Sequence, residues 1–205
     1  MKKFIIVSFL TCTTCLLFSP GARASLITFD DLHAPALFIQ GSPLSEQYAA
    51  LGVHFQGSGV VLNSYSNFEG VPSIDIRGRA NFLAFNGNVG AAPPQTVLFD
   101  NPVNFFQWDF AGSTGNAQLT AYLGDTLVGS TSITALFGVW NEMSLSATAF
   151  DRVLFNVNNT DPHFVVDNLR YTMQTTPVAV PLPASLWLLA SAGLAFFSTA
   201  WRKRA

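Results

Sequence analysis

The sequence predicts an all-β sandwich with one short helix, carried between an apolar leader and an apolar tail. Three observations predict it. Short runs rich in Val, Phe, Leu and Thr recur from residue 26 to residue 172, broken by Gly, Pro, Asn and Asp. No internal repeat and no long helical periodicity interrupts them. Both ends of the chain are apolar stretches flanked by basic residues.

At the N-terminus, Lys2 and Lys3 precede a largely apolar run from Phe4 to Phe18, followed by Ser19-Pro20-Gly21 and Ala22-Arg23-Ala24. Small residues at Ala22 and Ala24 fit the A-x-A pattern that a signal peptidase accepts. Residues 1–24 therefore read as a signal peptide, with Ser25 as the mature N-terminus of an exported protein. Cys12 and Cys15, the only two cysteines, form a C-x-x-C pair but leave with this segment. The mature chain then has no thiol, which excludes disulfides and cysteine catalysis. Its stability falls to the apolar core, with a bound metal as a further source.

Processing also redistributes charge. Six of the ten basic residues lie in the leader or beyond the apolar tail, leaving Arg77, Arg79, Arg152 and Arg170 against twelve acids. A net negative domain without clustered Lys and Arg excludes phosphate-backbone binding, so no nucleic-acid partner is expected. The same balance suits cation binding.

Residues 25–173 have the length of one domain. The expected strands are LITFDDL, GVHFQG, GVVLN, NFLAFNG, TVLFD, VNFFQWDF, AQLTAYL, TLVGS, VWNEMSL, RVLFNV and HFVVDNLRYT. In VNFFQWDF, Phe106, Trp108 and Phe110 share one face, and Phe105, Gln107 and Asp109 the other. Gly124-Asp125 supplies a hairpin turn between AQLTAYL and TLVGS. The one helix is expected at LSEQYAAL, with Ser42 as N-cap, Pro43 at the first position and Gly52 as the stop. Most of the strand phenylalanines are expected in the core. The residues placed for stacking on a sugar are Tyr65, Phe68 and Trp140, which lie in loop-like stretches.

Two stretches break the strand pattern. In HFVVDNLRYT one face reads Val165, Asp167, Leu169 and Tyr171, so a carboxylate interrupts an apolar row. An unpaired buried charge is costly, which calls for a partner, a bulge that turns Asp167 outward, or a metal. Asp30 and Asp31 follow Phe29 near the start of the domain. If first and last strands lie together, Asp30, Asp31, Asp167 and Asn168 converge as oxygen donors suited to calcium. The competing reading has Asp30 and Asp31 opening a turn, with Asp167 paired to Arg170 or to backbone amides. Glu46 is a further contributor by its place on the short helix.

No catalytic residue is assigned. Glu46, Glu69 and Glu142 have no spacing that fixes an acid pair. His33, His54 and His163 stand alone, without metal-ligand spacing. AGSTGNAQ is Gly-rich but lacks the Lys and helix of a phosphate loop.

The chain closes with Val180-Pro181-Leu182-Pro183-Ala184, an uncharged run to Trp201, and Arg202-Lys203-Arg204. At ~1.5 Å per residue, the roughly 18–20 residues from Pro183 span about 27–30 Å, close to a bilayer's hydrocarbon thickness. Trp187 and Trp201 flank the run as interfacial aromatics do, and the basic end holds the cytoplasmic side. A transmembrane helix is expected in residues 181–205, after a linker at 174–180.

VPLPASLWLLASAGLAFFSTAWRKR resembles a PEP-CTERM sorting signal of the VPLPA variant. The common pattern has Glu between the prolines, where this chain has Leu182. The resemblance implies recognition by an exosortase, a membrane-embedded cysteine protease that cuts near the motif. It further implies a protein tethered to the inner membrane before processing and then delivered to the cell surface or an exopolysaccharide matrix. ITFDDL, EQYAALGVHF and FVVDNLRY resemble segments of jelly-roll, galactose-binding-like modules. That resemblance implies a jelly-roll-like β-sandwich with a structural calcium near the chain ends and a sugar site on loops or a concave sheet. The function expected is a non-enzymatic surface or matrix protein that binds polysaccharide. A secreted glycan-active enzyme and a ligand-free structural protein are the alternatives.

Overall fold

Buried backbone amides need partners, and most of the apolar runs find them in strands. The computed structural model describes residues 24–63, 81–158 and 163–174, which belong to one compact unit, Gly21–Gln174. The described strands are β1 (Ala24–Ile27), β2 (Val53–Gln56), β3 (Val60–Asn63), β4 (Asn81–Asn86), β5 (Gln95–Gly112), β6 (Gly115–Leu123), β7 (Thr126–Ala135), β8 (Asn141–Asn158) and β9 (His163–Met173). All pairings among them are antiparallel. The signal-peptide and sorting segments lie outside the described residues, as do Tyr65, Phe68 and Glu69.

Hydrogen bonding joins the strands in the order β3-β4-β9-β5-β8-β6-β7, with β1 on β9 and β2 on β5. The register divides this path into two layers. Gln95 to Leu98 of β5 pair with Phe155 to Arg152 of β8, and β2 lies on the other side of this stretch. Val103 to Gly112 instead lie between β9 and residues 141–150 of β8. The far end of β8 continues against β6. Register shifts between Leu98 and Phe105 mark the corner, beside Pro102, which has no N–H to give a ladder. One layer is β3-β4-β9-β5-β8 with β1 beside β9, and the other is β2-β5-β8-β6-β7. β5 and β8 belong to both, as strands do that switch sheets at a sandwich corner. Each therefore unites two runs that read in sequence as separate strands.

Between the layers sits the aromatic core. Phe106, Trp108 and Phe110 are fully buried, as their alternation requires. Phe155 crosses from the other layer and meets the Trp108 ring edge-on at 4.7 Å and 88°. The Trp108 indole Nε1 is buried without a hydrogen-bond partner among the described residues. The β6–β7 hairpin turns at Gly124-Asp125 as expected, with Leu123 opposite Thr126 and Gly124 at φ 58°. Ala117, Leu119 and Ala121 face inward from β6.

The expected helix at 43–51 is largely replaced. Only a 3-10 turn, Ala49–Leu51, forms there, closed by Gly52 in the left-handed region at φ 70°. The preceding residues are drawn to the sheet: Pro43 bridges Val60, the Leu44 amide donates to the Gly59 carbonyl at 2.8 Å, and the Ser45 carbonyl accepts from Phe55 at 2.8 Å. Sheet pairing and the burial of Leu44 and Tyr48 outweigh local propensity. Among the described residues no helix is long and apolar enough to cross a membrane.

Candidate functional site: an amide face and an acid junction

On the layer that ends in β7, strand alternation points one set of side chains away from the core. Asn116 of β6 lies opposite Asn158 of β8 and Thr134 of β7, and Gln118 lies opposite Asn156 and Ser132. Asn116, Gln118, Ser132, Asn156 and Asn158 are exposed and line an open cleft of ≈ 350 Å³. The Asn156 Oδ1 accepts from the Val157 amide at 2.9 Å. Among the described residues, the side chains of Asn116, Gln118, Ser132 and Asn158 make no hydrogen bond, so their donors and acceptors are unspent. The face continues along β6 to Thr120 and Tyr122, whose ring carries the Arg152 guanidinium at 4.6 Å. From Asn116 to Tyr122 the row runs about 20 Å at strand rise. Its side chains offer both hydrogen-bond donors and acceptors along that length.

A second cleft, of ≈ 530 Å³, is apolar, between the loop Leu37 to Gly41 and the turn Val89 to Ala91. Its polar groups are used internally: Ser58 donates to the Ala92 carbonyl at 2.6 Å, and Asn86 Oδ1 accepts from the Asn88 amide at 2.9 Å. It lacks the convergent polar groups that orient a ligand.

The first and last described strands do lie together, with Ile27 of β1 opposite Leu169 of β9. β4 takes the same edge of β9 only as far as Val166. Asp167 and Asn168 therefore sit at the junction where one neighbour gives way to the other. Phe29, fully buried, takes φ 62° just past β1. Such a conformation is strained for a bulky residue, and it turns Asp30 and Asp31 toward the junction. Asp30 Oδ1 accepts from the Asn81 amide at 2.9 Å, and the Asn81 side chain donates to the carbonyls of Phe29 and Leu32. Asp31 Oδ1 accepts from the Tyr48 hydroxyl at 2.6 Å. Burial first, and then this bond to Asp31, push the Tyr48 phenol far above its usual range, with the charges of Asp31, Asp30 and Asp167 adding to the shift.

Asp167 is 1% exposed and its Oδ1 accepts from the Asn168 amide at 2.6 Å. Asn168, at φ 50°, forms a bulge that changes the face assignment, although Asp167 beside it stays buried and is not turned out to solvent as expected. Gln107 pairs with Arg170 but Asp109 pairs with Asp167, so β9 carries one extra residue. Phe164 and Val166 face the main core before the bulge, and Leu169 and Tyr171 after it. Val165 joins the cluster on the outer face, so the expected single row of Val165, Asp167, Leu169 and Tyr171 is split. Asn168 Nδ2 donates to Asp109 Oδ2 at 2.7 Å. The structure thus brings Asp30, Asp31, Asp167 and Asn168 to one region, together with Asp109, Tyr48 and Asn81, which the sequence did not signal. Among the described residues no group of three or more His, Cys, Asp or Glu is set to hold a metal ion.

Trp140 is half-buried and packs against the cluster of Val60, Leu62, Phe82, Ala84, Ala111 and Val165 on the outer face of the β3-β4-β9 layer. It covers apolar surface there. Glu46 is away from the acid junction: its Oε2 meets His54 Nδ1 at 2.5 Å, while His54 Nε2 meets Asp100 Oδ1 at 3.0 Å. Hydrogen bonds to Glu46 and then Asp100 raise the His54 pKa. Glu142 lies opposite Asp109 across β5 and β8.

No family model matches the chain, and no curated protein matches it. Among solved structures, it is similar to the K2 cleaved adhesin domain of Lys-gingipain, with a TM-score of 0.50 at 13% identity over 75% of this chain and 100% of that one. The K1 cleaved adhesin domain of Lys-gingipain from Porphyromonas gingivalis W83 follows with a TM-score of 0.43 at 12% identity over 75% and 99%. A CBM6-3 module from Clostridium stercorarium, in complex with cellobiose, gives a TM-score of 0.38 at 11% identity over 76% and 100%. At these identities the likeness is one of fold: the chain is a β-sandwich of the kind found in an adhesin domain.

Proposed function

We propose that this chain is a non-enzymatic, exported surface or matrix protein whose jelly-roll-like sandwich binds a neutral polysaccharide along the amide face of β6, β7 and β8. The observation that carries the reading is the unspent row of Asn116, Gln118, Ser132 and Asn158 beside Asn156. Sugar hydroxyls are both donors and acceptors, and side-chain amides answer both roles at once. The fold it shares with an adhesin domain agrees with such a role by analogy only. Binding is measured on neutral glycans by affinity electrophoresis with the full chain and with Asn116→Ala/Gln118→Ala. Retardation that the double variant abolishes without a change in melting temperature supports the reading. Retardation that survives the double variant, or its absence on every neutral glycan, refutes it, and release of reducing ends would favour an enzyme.

Delivery belongs to the same proposal. The VPLPA motif, apolar segment and basic stop would be read by an exosortase after signal peptidase has acted, with the C-terminal helix as a temporary membrane tether. Intact-mass analysis of surface protein tests this, because a retained Arg202–Ala205 tail in cells with an active exosortase would refute it. For the acid junction we propose a structural calcium held by Asp30, Asp31, Asp167 and Asn168. Its support is that β1 and β9 lie side by side and bring these oxygen-bearing residues to one junction, next to the left-handed Phe29 and Asn168. A native-state ion must raise the melting temperature, so equal values in calcium and in chelator would overturn it.

A further inference from the structure

We propose that the outer face of β5, β8 and β9 around Phe105 and Gln107 is a second carbohydrate site, which seats a single uncharged sugar ring on the side of the sandwich opposite the amide face. Gln107 carries the argument. It is 7% exposed, and among the described residues its side-chain amide has no hydrogen-bond partner. The large majority of buried polar side-chain atoms are paired, so a buried amide left unpaired calls for a reason. This amide is not sealed in: the unpartnered side-chain atom cut off from solvent, among the described residues, is the Trp108 Nε1. A group from outside the protein can therefore reach Gln107.

The register surrounds Gln107 with groups in the same condition. Arg170 of β9 lies opposite it on one side and Ser144 of β8 on the other, and the next row is Thr172, Phe105 and Ser146. Met143, Leu145, Leu169 and Tyr171 point into the core, so the residues that alternate with them face out. Arg170 is half-buried, and among the described residues its guanidinium makes no hydrogen bond or ion pair. The hydroxyls of Ser144, Ser146 and Thr172 are likewise without a partner among those residues. Phe105 is half-buried, yet it packs into neither hydrophobic cluster. Arg170 to Ser144 spans two strand spacings, about 10 Å, and the two rows stand about 7 Å apart, which is a footprint for one ring.

The chemistry of these groups selects the ligand. A sugar ring presents an apolar C–H face and a rim of hydroxyls. Phe105 offers a surface to the first, and Gln107, Arg170 and the three hydroxyls answer the second as donors and acceptors. Charge decides against an anion: Asp109 and Glu142 occupy the row beyond Gln107, so Arg170 stands in a field of mixed sign. A sugar held here and a chain held along the amide face would be joined across the thickness of the sandwich. That linkage rests on glycan binding at the amide face, whereas the Gln107 site itself does not.

Saturation-transfer NMR on the full chain, in a detergent without a sugar headgroup, tests the site with the methyl glycosides of glucose, galactose, mannose and xylose. One ring is bound too weakly to retard the protein in a gel, so long glycans report on the amide face and these small ones on Gln107. Transfer to at least one glycoside is expected, and Asn116→Ala/Gln118→Ala should leave it intact. Gln107→Leu and Arg170→Met should each weaken binding about tenfold or more. Gln107→Leu should also leave the melting temperature unlowered, because the amide it removes bonds nothing in the protein. Methyl glucuronide should bind no better than methyl glucoside. The proposal is overturned by no transfer to any glycoside, by transfer indifferent to Gln107→Leu and Arg170→Met, by transfer lost with the amide-face variant, or by a preference for the glucuronide.

Discussion

Replacing Tyr48 by Phe isolates one bond at the acid junction. The ring is 3% exposed and packs edge-on against Phe29 at 5.9 Å and Phe55 at 6.1 Å. Phe keeps those contacts, so the change removes little besides the hydroxyl and its 2.6 Å bond to Asp31. A hydrogen bond to a charged acceptor contributes roughly 1.5–3 kcal/mol. Asp31 is exposed and recovers water when the hydroxyl goes, which puts the net loss at the low end, about 1–1.5 kcal/mol. For a domain of this size that lowers the melting temperature by about 3–5 °C. Urea denaturation of Tyr48→Phe, Asp31→Ala and the double variant completes the cycle, with an expected coupling of about 1 kcal/mol. Additive losses would show that the bond does not hold the Asp30-Asp31 turn.

Other perturbations reach different links in the chain of cause. A Cβ at Gly112 would strike the His163 carbonyl and the Phe164 ring where β5 meets β9, so Gly112→Ala should cost about 1–3 kcal/mol in chemical denaturation, and an unchanged midpoint would contradict that close approach. Trp108→Phe removes an indole N–H that has no partner among the described residues, so it should cost about 1–3 kcal/mol, less than the roughly 3–5 kcal/mol of Trp108→Ala. Equal losses would place the importance of Trp108 in its N–H. The raised His54 pKa contributes stability that is fully present below its unfolded value of ~6.5 and is lost as pH rises through the folded value. Melting temperatures across that window should fall with rising pH in the native chain and flatten in His54→Gln; parallel curves would refute the linkage.

The parts of this fold legible in the sequence are those governed by neighbours along the chain. Alternation assigned Phe106, Trp108 and Phe110 to the core, and Gly124-Asp125 marked a hairpin because two residues suffice to turn one. The meeting of Asp30 and Asp31 with Asp167 rested on a general habit of sandwiches, and β1 on β9 realises it. Other features depend on distant partners. Pro43 and Leu44 carry helix-start signals, yet Val60 and Gly59 compete for them across a loop. The extra residue at Asn168 is defined only against β5, so a count along β9 alone misassigns the faces of Leu169 and Tyr171. Likewise the amide face exists only once β6, β7 and β8 are in register, because Asn116, Gln118, Ser132, Asn156 and Asn158 come from three separate runs. A signal was present in the polar alternation of AQLTAYL and RVLFNVN, but it could not be assembled without the pairing.

The last strand has a mechanical consequence. Residues 169–172 of β9 lie between β1 and the far half of β5, paired on both sides. Tension applied at Gln174 and resisted in the other layer would run along β9, and two ladders would have to slide together before the strand could leave. Ladders loaded in this way fail in shear, with many bonds sharing the force, whereas a strand peeled from an edge gives way one bond at a time. Placing the exit of the chain in mid-sheet makes this domain suited to being pulled by its C-terminus.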